Sequence, residues 1–397
     1  MPIKISQESM CVKGDYQSAV SKPHQLPIYA TSSFEFEQIE QSIDIFTGKS
    51  NGHVYSRYGN PTVDTVAQKI ADLEAYGTGL DAWGFLTSSG MSAISVMMYA
   101  LLKAGDAILT QGDLYGGTNE LFVKIMSKQN INTVIVDLSD LDAVEYQFST
   151  NRNIRILYIE SPANPTMKCL DIHALSKLAK KYGIISCVDN TFCTPLIQQP
   201  LSLGADIVLH STTKYLNGHG NSIAGAIVGY DEKLKVQIYT GLKLIGATCN
   251  SWDAWLIYNG LKTLALRMER HSDNAMKLAM FLESHPKVSK VNYSGLKTSV
   301  YHELAKKQMK YFGGMLSFEM DGTMEAVLKM INKLQFCTMA PTLGDVDTLV
   351  LHPATSSHLN ISKALRQEMG ITDGLVRVSV GLEKVEDIIE DFNHALK

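Results

Sequence analysis

The stretch Asp206-Ile-Val-Leu-His-Ser-Thr-Thr-Lys-Tyr-Leu-Asn-Gly-His-Gly220 is apolar for three residues, then breaks into hydroxyl groups, a lysine and a glycine-punctuated loop. Ile207, Val208 and Leu209 read as a short strand buried on both faces, the pattern of a parallel sheet covered by helices. Open sheets of that kind leave ligand sites outside the carboxyl ends of their strands. Lys214, with Ser211 and Thr213 before it, falls at such an end, although a lysine seen alone is more often a surface residue.

The same grammar repeats to either side. Strand candidates are Gly84–Thr87, Ala107–Thr110, Thr133–Val136, Arg155–Ile159, Ile184–Val188, Asp206–Leu209 and Ala226–Val228, with helical patterns such as Met91–Leu102 and Asp171–Tyr182 between them. Strand and helix in alternation predict an α/β fold with a mostly parallel seven-stranded sheet covered on both sides. This large domain is assigned to residues 61–251. A long helical stretch, Trp252 to Ser284, opens a smaller α+β domain over 252–397, with strands at 288–292, 314–320 and 375–380. Its last helix carries Val385, Ile388, Ile389, Phe392 and Leu396 on one face. Residues 1–60 show little periodicity and read as an extended arm.

Composition narrows the function. The 397 residues are 45% hydrophobic and 19% charged, as in ordinary globular proteins. A net charge of −4 gives no reason to expect nucleic acid or an anionic membrane surface as a partner, which leaves a small molecule. There is no apolar segment of signal-peptide or membrane-span length, so a soluble cytoplasmic protein is expected. Six cysteines without a C-x-x-C pair suggest neither a metal site nor a disulfide framework. Asn292-Tyr-Ser294 and Asn360-Ile-Ser362 match the glycosylation pattern but mean nothing without secretion.

Four further features carry chemistry. Thr87-Ser-Ser-Gly-Met-Ser-Ala-Ile94 sets small and hydroxylated residues between a strand and a helix, where free amides and the positive helix end favour a phosphate; plain capping explains the same residues. Asp189 ends a strand and can face a ligand or cap the next turn. Tyr115 can stack on a planar ring or simply pack. Arg377 interrupts Leu375-Val-Arg-Val-Ser-Val380 and is either a strand-edge ion pair or a fork for a ligand carboxylate. Taken together, a phosphate cradle, a strand-end aspartate, a stacking tyrosine and a lysine beside hydroxyls meet the needs of pyridoxal 5′-phosphate.

Seven motifs then carry a resemblance: Val54-Tyr-Ser-Arg-Tyr-Gly-Asn-Pro-Thr62, Ser88-Ser-Gly-Met91, Leu114-Tyr-Gly-Gly117, Glu160-Ser-Pro-Ala-Asn-Pro165, Val188-Asp-Asn-Thr191, His210-Ser-Thr-Thr-Lys-Tyr215 and Val376-Arg-Val-Ser-Val-Gly381. In order and content the chain resembles the pyridoxal-phosphate-dependent Cys/Met-metabolism family of fold type I, and within it most the methionine and cystathionine γ-lyases. The resemblance implies that Lys214 carries the cofactor as a Schiff base and shuttles protons, while Asp189 pairs with the pyridinium. It implies that Tyr115 stacks on the ring and protonates the leaving group. The turn of Ser89, Gly90 and Met91, with the Ser211 and Thr213 hydroxyls, would hold the phosphate. Tyr55 and Arg57 would reach the phosphate of a neighbouring subunit in a homotetramer built from active-site-sharing dimers. Arg377, Asn164 and Thr342 would contact the amino-acid substrate. The implied reaction is γ-elimination of methionine or homocysteine to a thiol, 2-oxobutanoate and ammonia. Cleavage of cystathionine and γ-replacement on activated homoserine remain open alternatives, because the γ-lyases of methionine usually carry cysteine at Gly117 and those of cystathionine glutamate at Pro341.

Two unrelated readings fall away. Ser211-Thr-Thr-Lys214, Ser272-Asp-Asn274 and Lys297-Thr-Ser299 imitate a serine acyl-hydrolase, but S-x-x-K here follows a strand instead of opening a helix. Gly218-His-Gly220 with Gly225 lacks the lysine and spacing of a nucleotide loop. A relative that only binds would be expected to lack Lys214 or Asp189, and both are present.

Overall fold

The computed structural model describes residues 5–13, 23–359 and 361–397. Among these, seven strands form the large sheet: β1 (Trp83–Thr87), β2 (Ala107–Thr110), β3 (Asn132–Ile135), β4 (Ile154–Glu160), β5 (Ile185–Asp189), β6 (Ile207–His210) and β7 (Gly225–Gly229). Their order is β1-β7-β6-β5-β4-β2-β3. Only β7 runs against its neighbours, so the other six share one direction and the sheet is the mostly parallel one expected. β6 and β7 are buried along their whole length, which is why they read as unbroken apolar runs.

One consequence sets up the site. With one direction shared, Thr87, Thr110, Glu160, Asp189 and His210 end their strands on a single edge, and the loops that follow them meet there. The helix Gly90–Leu101 begins on this edge, capped by Ser89, whose Oγ accepts from the Ser92 amide at 3.0 Å.

A second sheet follows: β8 (Val288–Asn292), β9 (Met315–Met320), β10 (Thr338–Met339), β11 (Leu349–Leu351) and β12 (Leu375–Ser379), ordered β10-β11-β12-β9-β8. Arg377 lies mid-strand, opposite Leu351 on one side and Ser317 on the other. The terminal helix Val385–Leu396 buries Val385, Ile388, Phe392 and Leu396, and Phe392 meets Phe318 edge to face at 6.0 Å.

Local differences from the sequence reading have local causes. The long helical stretch is two helices, Ser251–Lys262 and Leu264–Glu283, broken at Thr263. Gly260, just before the break, presses on the Asn217 carbonyl, where a Cβ would come within 2.1 Å of its oxygen. The amino-terminal region is not wholly extended: Gln7–Val12 and Ile39–Phe46 are helical, each too short to show a clear period. β10 and β11, only two and three residues long, leave no strand pattern in the sequence. Asn360 of the second glycosylation pattern lies outside the described residues. Each of the six cysteines is buried. No helix among the described residues is long and apolar enough to cross a membrane.

Candidate active site

Lys214 sits in the turn that follows β6. The turn is pinned by Lys214 N donating to Ser211 O (3.1 Å) and Gly218 N donating to Lys214 O (2.7 Å). From the helix Leu264–Glu283, buried Arg267 donates to the carbonyls of Tyr215 (2.8 Å) and Gly260 (2.7 Å), fixing the residue beside the lysine. Gly344, at φ +77°, closes over the same turn; a Cβ there would fall 2.7 Å from Tyr215 N. Only glycine combines that backbone with that contact.

Its side chain reaches across to the carboxyl-terminal half of the chain. Lys214 Nζ donates to Thr342 Oγ1 at 2.9 Å, and Thr342 O accepts from Arg377 Nη2 at 2.8 Å. Burial, with the Arg377 guanidinium nearby, pulls the lysine amine down to about 8, so a fraction of it is uncharged and basic near neutral pH.

Arg377 is only 4% exposed. Its Nη1 donates to Asn164 Oδ1 at 3.3 Å, while Nε is buried with no partner among the described residues. None of the ion pairs among the described residues includes Arg377, so the strand-edge ion pair weighed from sequence is not formed. Burial pulls its pKa to about 10, the mark of a cation without a counter-charge.

Asp189 ends β5. Tyr158 OH donates to its Oδ2 (3.2 Å) and the Thr191 amide to its Oδ1 (3.0 Å). Thr191 Oγ1 in turn accepts from Ser211 N at 2.9 Å, which ties the aspartate to the lysine turn. Ser211 also meets the start of the helix Gly90–Leu101, because a Cβ on Gly90 would lie 2.7 Å from Ser211 Cβ. The helix-opening amides of Gly90 and Met91, which have no helical acceptor, therefore stand beside the Ser211 side chain.

Tyr115 caps the short helix Gly116–Glu120, and its side chain is 44% exposed. Its amide donates to Glu160 Oε2 at 2.9 Å, and the Asn164 amide donates to Glu160 Oε1 at 2.9 Å. Burial and the neighbouring Asp189 push the Glu160 carboxyl well above its ordinary range. Glu160 lies within the motif Glu160-Ser-Pro-Ala-Asn-Pro165, whose sequence alone assigns it no role. The available signal was the same as for Asp189, a carboxylate at the carboxyl end of a buried strand.

The structure thus joins most of the expected residues through contacts: Gly90 to Ser211, Ser211 through Thr191 to Asp189, and Lys214 through Thr342, Arg377, Asn164 and Glu160 to Tyr115. Thr213 is placed differently. Its hydroxyl donates to Ala224 O (3.2 Å) and accepts from Ala224 N (3.1 Å), so its proton is already used. Tyr55 and Arg57 stand apart from this set. Arg57 donates to the Lys243 carbonyl and lies over the Tyr55 and Tyr58 rings at 5.5 and 4.9 Å. A cavity of about 870 Å³ lined by Asp113, Lys168 and Tyr301 includes neither Lys214, Asp189 nor Arg377, so chemistry and not cavity size marks this site. The acyl-hydrolase mimic is dispersed: Ser272 Oγ bonds Met268 O and Asn274 Nδ2 bonds Gly381 O.

Three observations fit these residues to pyridoxal phosphate: a depressed buried lysine, free amides beside Ser211, and a strand-end carboxylate nearby. Together they define a pyridoxal-phosphate enzyme of fold type I. The chain belongs to the Cys/Met metabolism PLP-dependent enzymes, whose pattern it matches over residues 8–397. It is 46% identical to an L-methionine gamma-lyase of Fusobacterium nucleatum subsp. polymorphum over 374 residues, 94% of this chain and 93% of that one. It is 44% identical to a cystathionine beta-lyase of Lactococcus lactis subsp. cremoris (strain MG1363) over 372 residues, 94% and 93% of the two chains. Its fold is similar to the crystal structure of cystathionine gamma-lyase from Lactobacillus plantarum complexed with L-serine, with TM-score 0.91, 36% identity and 98% of each chain covered.

Proposed function

We propose that this enzyme is a carbon–sulfur lyase acting on methionine or homocysteine by γ-elimination, with a thiol, 2-oxobutanoate and ammonia as products. Bound pyridoxal phosphate supplies the electron sink that makes carbanion chemistry at an amino-acid Cα accessible. The observation that carries the reading is the unpaired, buried Arg377 joined through Thr342 to Lys214. It supplies a carboxylate receptor one residue away from a base.

In this reading the chain's own residues divide the work. Ser89, Gly90, Met91 and Ser211 hold the phosphate, with Thr213 contributing once its proton turns away from Ala224. Lys214 is the attachment point. Asp189 keeps a proton on the ring nitrogen, since an adjacent anion raises the proton affinity of a base. Arg377 and Asn164 hold the substrate carboxylate, which aims the Cα–H bond toward the Lys214 amine. Thr342 steadies that amine through its hydroxyl while it takes the proton. Tyr115 gives its phenolic proton to the departing thiolate. Tyr55 and Arg57, being unattached to this site within one chain, serve the phosphate of a second copy in a homotetramer. The protein acts in the cytoplasm.

Relatives named both γ- and β-lyases leave one distinction to experiment, and the oxo acid draws it. Purified holoenzyme should be assayed with methionine, homocysteine, cystathionine, cysteine and O-acetylhomoserine, identifying each oxo acid by mass. Methionine or homocysteine giving 2-oxobutanoate supports the reading. Pyruvate from cystathionine with no turnover of methionine and homocysteine contradicts it, as does replacement chemistry alone on O-acetylhomoserine.

A further inference from the structure

We infer that Glu160 is a positioning residue whose single carboxylate locks Tyr115 to Asn164, so that the ring-facing and substrate-facing walls of the site are held in one register. The inference rests on the roles proposed above for those two residues. Both carboxylate oxygens are used, Oε2 by the Tyr115 amide and Oε1 by the Asn164 amide, each at 2.9 Å. The backbone that carries the carboxylate is itself clamped. Gln111 donates to Glu160 O at 2.8 Å and accepts from Glu160 N at 3.0 Å, so the side chain cannot drift along the sheet edge.

The chemistry argues that this is more than filling. Glu160 is paired in register with Asp189, so two acidic side chains end adjacent strands, Glu160 buried and Asp189 partly so. Placing a second carboxylate there is costly, because like charges in a poorly solvated place oppose each other. A glutamine of the same shape would avoid that cost. It has only one acceptor oxygen, however, and would turn an amide N–H toward an amide N–H. Two donors converging on one side chain require a carboxylate. Those donors belong to Tyr115, which caps the helix Gly116–Glu120, and to Asn164, whose Oδ1 receives Arg377 Nη1. Loss of the clamp would therefore disturb stacking and carboxylate recognition at the same time.

The test uses holoenzyme carrying Glu160→Gln. Losing one of the two backbone-amide hydrogen bonds should weaken amino-acid binding by roughly severalfold to tenfold, read by titrating the cofactor's visible absorbance with substrate. The visible circular dichroism of bound cofactor should also change, because the ring beside Tyr115 is no longer held as before. Combined with Asn164→Ala, the binding defect should fall well short of the product of the two single defects, since one acts through the other. Neither optical readout needs turnover, so both stand even if methionine proves not to be the substrate. Should Glu160→Gln fail to fold, Glu160→Asp decides: it keeps the charge, is too short to reach both amides, and should show the same paired defect. Wild-type binding and dichroism with only a lowered thermal midpoint would overturn the inference, as would multiplicative defects in the double variant.

Discussion

Replacing Arg377 by lysine separates a carboxylate receptor from a structural cation. The guanidinium spends Nη2 on Thr342 O and Nη1 on Asn164 Oδ1, and its Nε has no partner among the described residues. Donors of the fork therefore remain for a substrate carboxylate. Lysine would keep the charge on β12, but as a point on a flexible stem it cannot offer two parallel donors. A charge-assisted hydrogen bond contributes about 1.5 to 3 kcal/mol, so KM for an α-amino acid should rise between roughly tenfold and a little over a hundredfold. kcat should fall less, reflecting a poorly aimed Cα–H bond. The assay is steady-state kinetics with methionine, alongside competition by 3-methylthiopropylamine, which lacks the carboxylate. The wild type should discriminate strongly between the two, and Arg377→Lys should lose most of that discrimination. Unchanged KM with a lowered thermal midpoint, or loss of the cofactor itself, would refute the reasoning and return Arg377 to a structural role.

Two further expectations follow from particular contacts. A Cβ on Gly117 would lie 2.6 Å from Tyr115 Cε1 and 3.2 Å from Met91 Sδ, so Gly117→Ala should push the tyrosine ring aside, lowering kcat with little change in thermal midpoint; an unaltered kcat would show that the ring position is not critical. His271 is buried and its Nδ1–H donates to Val380 O at 2.6 Å, and burial pulls its pKa to about 4. With the folded pKa below the unfolded value, stability is complete above about pH 6.5 and is lost as pH falls toward 4, roughly 2 kcal/mol of it between pH 7 and 5. The urea midpoint should therefore drop more over that range in the wild type than in His271→Asn, and parallel profiles would count against the assignment.

How legible all this was depends on the range of the forces involved. β6 and its lysine turn could be read because a doubly covered strand must be apolar throughout and must end where the chain meets solvent and ligand. Asp189 and Arg377 stood out because charges at the end or in the middle of such strands are expensive unless used. What the sequence hid was pairing across distance. Nothing local announces that Thr342 accepts from Lys214, 128 positions away, or that Glu160 faces the amides of Tyr115 and Asn164. The Thr213 contact was hidden for a similar reason, since its hydroxyl meets the Ala224 backbone only once β7 folds back beside β6. Nor does anything local announce that Arg267, one cation in a long helix, is a buried clamp on the Tyr215 and Gly260 carbonyls.

The central claim is that Lys214 carries the cofactor. Holoenzyme reduced with borohydride, digested and mapped by mass spectrometry should show the phosphopyridoxyl group on the peptide containing Lys214, and Lys214→Ala should show none while keeping its fold. Labelling of a different lysine in the wild type, or a reducible cofactor linkage persisting in Lys214→Ala, would contradict the account at its root.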